Sequence, residues 1–188
     1  MMYCPNYNLA GDPVDQDESG ITEPVTIQQH KDYMRLEGWS GQESESTEFS
    51  FDDDLIGELN TSARQYIEQI ANVSLIPHEY EVVLTNMGGI ELPRSPIDQV
   101  TSIVDNNGDA VDDDNIKITG NDRKFLKTPI GYDLVVTYTT RAFTDSRPLV
   151  DIKRIVAAMY DNRGMDINDV VKDLNLMIGS YSRKSPIA

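Results

Sequence analysis

The chain has a single cysteine, Cys4, so no disulfide within the chain can staple it. Histidine is nearly as scarce. His30 falls in an amphipathic stretch and His78 follows Pro77, and neither is accompanied by a G-x-S-x-G elbow or an obvious partner acid. No G-x-x-x-x-G-K-S/T loop, G-x-G-x-x-G turn or H-E-x-x-H pair occurs. No catalytic set emerges, and the sequence reads as that of a protein that is not an enzyme. No run approaches the roughly 18 apolar residues of a membrane span. Met1-Met2-Tyr3-Cys4-Pro5 lacks the basic start and apolar run of a signal peptide. Positive charge is the largest deficit: 16 Lys and Arg stand against 32 Asp and Glu, a net charge of −16. Such a surface repels phosphate, which argues against a bulk electrostatic grip on nucleic acid or anionic membrane. The expectation is a soluble acidic protein made inside the cell.

What is present suffices for a core. At 39% hydrophobic and 26% charged residues over 188 positions, the composition fits one folded domain, with or without a smaller insertion. The acidity is uneven. Residues 1–60 hold 14 acids and 2 bases, net −12, while residues 61–188 hold 18 acids and 14 bases, net −4. Residues 1–22 mix Pro5, Gly11, Asp12, Pro13, Asp15, Asp17 and Gly20 with single apolar residues and show no period. The Gly-, Ser- and Glu-rich run over 38–50 shows none either, and both are expected to be tails or loops. Trp39, Phe49 and Phe51 bracket the second run, either as anchors for a partner or as a staple onto the helix that follows.

Thr26 and Gln29 make a capping-box pattern after Pro24, predicting a helix from Thr26 to about Glu37 with Ile27, His30 and Met34 inward. A longer helix is expected from the Asp52-Asp53-Asp54 run to about Asn72. Its apolar residues, Leu55, Ile56, Leu59, Ala63, Tyr66, Ile67 and Ile70, fall at helical spacing. The three aspartates suit the positive end of a helix dipole; as a cation site they would need ligands from elsewhere, so capping is preferred. β-Branched runs at 80–84, 100–104, 115–119 and 134–139 predict strands, with turns at Gly88-Gly89, Asn107-Gly108 and Gly120-Asn121. Helical spacing returns at Pro148, Leu149, Ile152, Ile155, Val156 and Met159 and stops at Gly164. A last helix is expected from Asp166, burying Ile167, Val170, Val171, Leu174 and Ile178 before Gly179. The predicted fold is mainly α, a four-helix core with a small antiparallel β-sheet inserted between helices 2 and 3. The expected domain plan is an acidic N-terminal arm over 1–22, a helical domain over 23–180 with the β-insertion at about 79–140, and a C-terminal tail over 181–188.

Two charge clusters invite a site. Asp105, Asn107 and Asp109 match the first, third and fifth positions of a calcium loop. Ala110 then stands where the loop needs Gly, and Ile116 where it needs a bidentate Glu. Asn107-Gly108 between strands instead predicts a solvated hairpin tip, and no metal or cofactor is expected. Bases gather at Arg141, Arg147, Lys153, Arg154 and Arg163, with Lys172, Arg183 and Lys184 beyond. They form either a solvated helix face or a surface for the acidic N-terminal part of another copy.

A set of short segments carries a family resemblance. Glu23-Pro24-Val25-Thr26 with Lys31 and Met34-Arg35-Leu36 comes first, then Asp53-Asp54-Leu55-Ile56 leading into Ala63-Arg64-Gln65-Tyr66-Ile67-Glu68. Ile90-Glu91-Leu92-Pro93-Arg94-Ser95-Pro96-Ile97, Val100-Thr101-Ser102-Ile103 and the Asp105–Gly108 turn follow. Val136-Thr137-Tyr138-Thr139, Arg147-Pro148 and Ala158-Met159-Tyr160-Asp161-Asn162-Arg163 complete it. In this order, over about residues 23–183, the set resembles the tailed-phage head–tail connector (head-completion adaptor) family. The acidic lead, the 38–50 run and Thr140-Arg141, where small residues and a Gly are commoner, depart from the pattern.

The resemblance implies a structural virion protein. Members form a ring, usually of twelve copies, beneath the portal at the capsid vertex, joining capsid to tail and continuing the DNA channel. A stopper or tail protein joins on the opposite side, and the expected location is the capsid–tail junction, after assembly in the host cytoplasm. Because the C-terminal segment commonly reaches toward the portal, Tyr181, Arg183 and Lys184 become docking candidates. Arg147, Lys153, Arg154 and Arg163, with Asp52, Asp53 and Asp54, become candidates for contact between copies. A twelvefold ring would carry roughly −190 charges, which would let DNA slide through without sequence-specific binding. No membrane partner is implied. The alternative readings are a podovirus-type tail adaptor and a non-viral acidic protein-binding module.

Overall fold

A computed structural model of the chain describes residues 22–36, 48–84, 90–111, 116–127, 133–172, 174 and 176–182, without the side chains of 48–52 and 90. The acidic arm up to Ile21, the run from 37 to 47, the Gly88-Gly89 turn and the tail from Arg183 lie outside the described residues. Two compact units are formed: Val73–Phe143, and Thr22–Asn72 together with the chain from Thr144 on.

The helical unit contains α1 (Ile27–Met34), α2 (Glu48–Ala71), α3 (Arg147–Asp161), α4 (Ile167–Val171) and α5 (Ile178–Tyr181). The capping box at the start of α1 is present in full. Gln29 N–H donates to Thr26 Oγ1 at 3.2 Å, and Thr26 N–H donates to Gln29 Oε1 at 3.0 Å. The helix stops sooner than its apolar pattern suggests, because Arg35 takes a left-handed conformation with φ 57°. By contrast, α2 starts earlier than expected, at Glu48. Asp52, Asp53 and Asp54 therefore sit beyond the first turn, where the dipole no longer favours them, and the capping role expected of them is overturned. Ile56, Ala63, Ile67 and Ala71 of α2 and Ile152, Ile155 and Val156 of α3 are buried in the core of this unit. Although α2 is 24 residues long, among the described residues no helix is long and apolar enough to cross a membrane.

The other unit is all strand and turn. β1 (Glu79–Leu84), β6 (Leu134–Thr140) and β3 (Ile97–Asp105) form one antiparallel sheet in the order β1-β6-β3. β2 (Ile90–Glu91), β5 (Phe125–Lys127) and β4 (Lys117–Thr119) form a second, in the order β2-β5-β4. Alternation sets the register of the first sheet: Tyr80, Val82 and Leu84 lie opposite Tyr138, Val136 and Leu134, and all six point into the core. Leu92, Ile97 and Leu126 join the same cluster, so the two sheets share one core. Tyr138 reaches that core without stranding its hydroxyl, which donates to the Pro93 carbonyl at 2.9 Å. Thr140 does likewise, with Oγ1 2.8 Å from Ser74 Oγ and accepting His78 N–H at 3.0 Å.

These features correct the expected fold class. With 41% helix and 25% strand, the chain is α+β and not mainly α. The β region is a unit with its own core and two sheets where one sheet was expected. β2 and β5 have two and three residues, too few for an alternation to register in the sequence. The helices also number five among the described residues, because the last expected helix is split. α4 ends at Val171 and α5 begins at Ile178, and between them Leu174 N–H donates to Val171 O.

Candidate functional site

The candidate residues that are described and interacting gather mainly in the helical unit, around polar groups that its core has enclosed. Asp151 on α3 is fully buried. Its Oδ2 accepts the Tyr181 hydroxyl at 2.8 Å and the Met177 N–H at 2.7 Å, while Arg154 Nη1 lies 3.4 Å from Oδ1. Arg147 completes the group from the first turn of α3. Its Nε donates to both oxygens of Asp145, at 3.0 and 2.9 Å, and its Nη1 donates to the Ser180 carbonyl at 2.7 Å. Its guanidinium also lies 6.0 Å from the centre of the Tyr181 ring. Burial, followed by the bond to Asp151, pushes the Tyr181 hydroxyl well above its ordinary pKa, so it stays a donor at any physiological pH. Ser182 Oγ donates to the Ala71 carbonyl at the end of α2 at 3.3 Å. The C-terminal turn is thus clasped onto α3 and α2.

Three sequence candidates, Arg147, Arg154 and Tyr181, are brought together here. The residue that joins them, Asp151, was not singled out. Its position in the helical repeat, one before Ile152, is the signal that could have found it: an acid on the inward stripe needs a partner. Tyr181, taken as a docking side chain, is instead buried at 3% exposure and bonded within its own subunit. Arg183 and Lys184 lie outside the described residues, as does the side chain of Asp52.

The remaining candidates are dispersed. Asp53 pairs with Lys31 and Asp54 is exposed. Arg163 stacks on Tyr160, 4.4 Å from its ring centre. Lys153 is half-buried on α3 and near enough to His30 to oppose its protonation.

Two more buried networks lie along α2, on positions the hydrophobic pattern passed over. Asn60 Nδ2 donates to the Val25 carbonyl at 2.7 Å, which leaves Oδ1 to accept from His30 Nε2 at 2.9 Å. That arrangement puts the imidazole proton on Nε2. Burial holds the His30 pKa below its ordinary value, and the ring is neutral at pH 7. Arg64 lies between two acids: Nε donates to Glu23 Oε2 and Nη1 to Glu68 Oε2, both at 2.9 Å. Thr61 Oγ1 donates to the other Glu23 oxygen at 2.9 Å. Burial works against the Arg64 charge, but the two carboxylates outweigh it and raise its pKa.

None of these networks aligns a nucleophile with a base over an open cleft, as acyl or phosphoryl transfer would need. At the hairpin candidate, the Asp105 carboxylate is occupied by the backbone N–H groups of Asp109 and Asn107, at 3.0 and 2.8 Å. Those bonds hold its pKa below the ordinary value. Asp112, Asp113 and Asp114 lie outside the described residues. Among the described residues no three His, Cys, Asp or Glu side chains converge as a metal centre requires.

No family model and no curated protein matches the chain. Among solved structures, a chain of the virion of a native gene transfer agent particle matches with a TM-score of 0.56 and 17% identity, over 86% of this chain and 92% of its own. A chain of the neck of an empty particle of the same kind, computed with C6 symmetry, matches with a TM-score of 0.57 and 17% identity, over 82% and 85%. The chain shares the fold of those particle components, strand unit included.

Proposed function

We propose that the chain is a structural, non-catalytic subunit of the neck of a phage-type particle, a head–tail adaptor that assembles as a ring beneath the portal. The observation that carries the reading is the shared fold, which spans most of this chain and most of a chain taken from a neck. The ordered segments that resemble the head–tail connector family point the same way from the sequence alone. A ring of twelve fits a neck with C6 symmetry, since twelve copies can be arranged as six equivalent pairs. In this reading the ring binds the portal on one side and a stopper or tail protein on the other. Genomic DNA passes through its channel, and the subunits are made in the host cytoplasm before they join the virion. Polar groups satisfied inside the subunit suit such a part, which must keep one shape while its surfaces do the work.

Electron microscopy of the full chain mixed with portal protein tests this. Rings, or portals decorated by a ring, are the expected result. A chain that stays monomeric with portal present, and that carries a bound small molecule, overturns it. The channel has its own check at low salt: duplex DNA bound at micromolar affinity or better contradicts a surface that repels phosphate.

A further inference from the structure

The arginines on α3 and its approach already have acidic partners within the chain: Arg147 pairs with Asp145 and Arg154 with Asp151. Positive charge that has no ion pair among the described residues lies elsewhere, on the smaller sheet of the strand unit. Lys117 and Lys127 are directly opposite each other on β4 and β5, and both are exposed. Neither has an ion pair among the described residues. Like charges directly opposed across a sheet repel, and their side chains project from the same face about 5 Å apart at Cβ. Alternation puts Phe125, 47% exposed, on that face beside Lys127, whereas Leu126 and Ile118 turn to the other side. β4 is also the outer strand of its sheet. Two ammonium groups and an open aromatic ring beside a sheet edge fit an extended acidic segment that carries an apolar residue at the same alternation.

We propose that this face receives the N-terminal segment Asp12–Glu18 of a second copy of the chain. Residues 1–22 contain four acids, Asp12, Asp15, Asp17 and Glu18, and no Lys or Arg. In an extended segment Pro13 and Asp15 fall on one side about 7 Å apart, the spacing of Phe125 and Lys127 along β5. Asp15 can then reach the opposed lysines while Pro13 meets Phe125, with Asp17 the next acid on that side. Duplex DNA is the poorer fit: two lysines give few phosphate contacts on a chain of net charge −16. The inference rests on the ring reading for the presence of a neighbouring copy. It adds that each subunit is tied to the next through its acidic end, a heterologous contact of the kind a closed ring uses.

Carbodiimide coupling of the full chain, with isotopically light and heavy copies mixed and portal present, tests it. The expected result is light–heavy peptides joining Lys117 or Lys127 to Asp12, Asp15, Asp17 or Glu18. Those links are lost in the variant with Lys117→Glu and Lys127→Glu, and links return when Asp15→Lys and Asp17→Lys are added. That rescue excludes a variant that merely misfolds. Links confined to peptides of one isotope place the segment on its own subunit and overturn the proposal. So does an absence of links, which leaves the lysines as guards against edge-to-edge pairing. Binding of duplex DNA that the two lysine changes abolish, without light–heavy links, overturns it as well. Rings without links sink this contact alone, whereas light–heavy links without rings sink the adaptor reading alone.

Discussion

The Tyr181 hydroxyl donates to Asp151 Oδ2 at 2.8 Å, closing the C-terminal turn onto α3 across 30 residues of sequence. Tyr181→Phe keeps the ring and removes that donor from a fully buried carboxylate, so it should cost about 1–3 kcal/mol in urea unfolding. Asp151→Ala should cost more, because it strands the Tyr181 hydroxyl and the Met177 N–H together. The same bond sharpens a test of tail docking. Deleting residues from Tyr181 on removes part of the core, whereas a chain that stops after Ser182 should unfold at the same urea concentration as the full chain. If the basic end docks to the portal, that shorter cut alone abolishes attachment.

Stability should fall in mild acid through His30. Its folded-state pKa lies below the ordinary value of 6.5, burial being the main cause. In the unfolded chain the ring therefore takes up a proton that the folded chain refuses. The contribution is complete above the unfolded pKa and is lost as pH drops below about 6.5 toward the folded value. Glu23 favours protonation and Lys153 opposes it, so both belong to the same balance. Melting temperature measured from pH 7 to pH 5 should decline less in His30→Gln, which can still bond Asn60. A decline of equal slope in both proteins assigns the acid sensitivity to other groups.

The parts of this fold that were legible in the sequence are those in which one local signal decides the outcome. Thr26 and Gln29 specified a cap from four residues, and Tyr80 to Leu84 showed a strand by its β-branched and aromatic content. Two things were not legible. Strands as short as Ile90–Glu91 exist only because Leu126 and Phe125 lie opposite them, and pairing at such distance leaves no local trace. The buried face of α2 was also hidden, since Asn60, Arg64 and Glu68 belong to it and look solvent-facing to any hydrophobic count. The cluster around Asp151 escaped for the same reason. Sequence charge suggested a surface, while the fold pairs Arg147 with the half-buried Asp145 and Arg154 with the buried Asp151.

Arg64 gives the sharpest case of that internal use. Its side chain is 3% exposed and its two partners come from different parts of the chain, Glu23 ahead of α1 and Glu68 one turn along α2. Removing it takes away the guanidinium that both carboxylates share. Arg64→Met should therefore cost about 3–5 kcal/mol. Adding Glu23→Gln and Glu68→Gln should recover part of that loss, because it removes the negative charge that the arginine offsets. Chemical denaturation of the three proteins decides the point, and no recovery in the triple variant would assign the loss to packing instead.

Gly120 ends β4 with φ at 101°, and a Cβ built there would land on the Arg123 carbonyl. The turn it makes sets Lys117 against Lys127 and Thr119 against Phe125. Gly120→Ala should cost about 1–3 kcal/mol, because both the conformation and the space exclude a side chain. Gly179, within α5, has nothing within 4 Å of its would-be Cβ, and Gly179→Ala should gain about 0.5–1 kcal/mol of stability. Urea unfolding of the two variants against the parent measures both, and losses of equal size in the two would refute the argument. Because Gly120 fixes the register of the lysine pair, Gly120→Ala should also lower the yield of links from Lys117 and Lys127 to the acidic segment of a second copy, while Gly179→Ala leaves that yield unchanged.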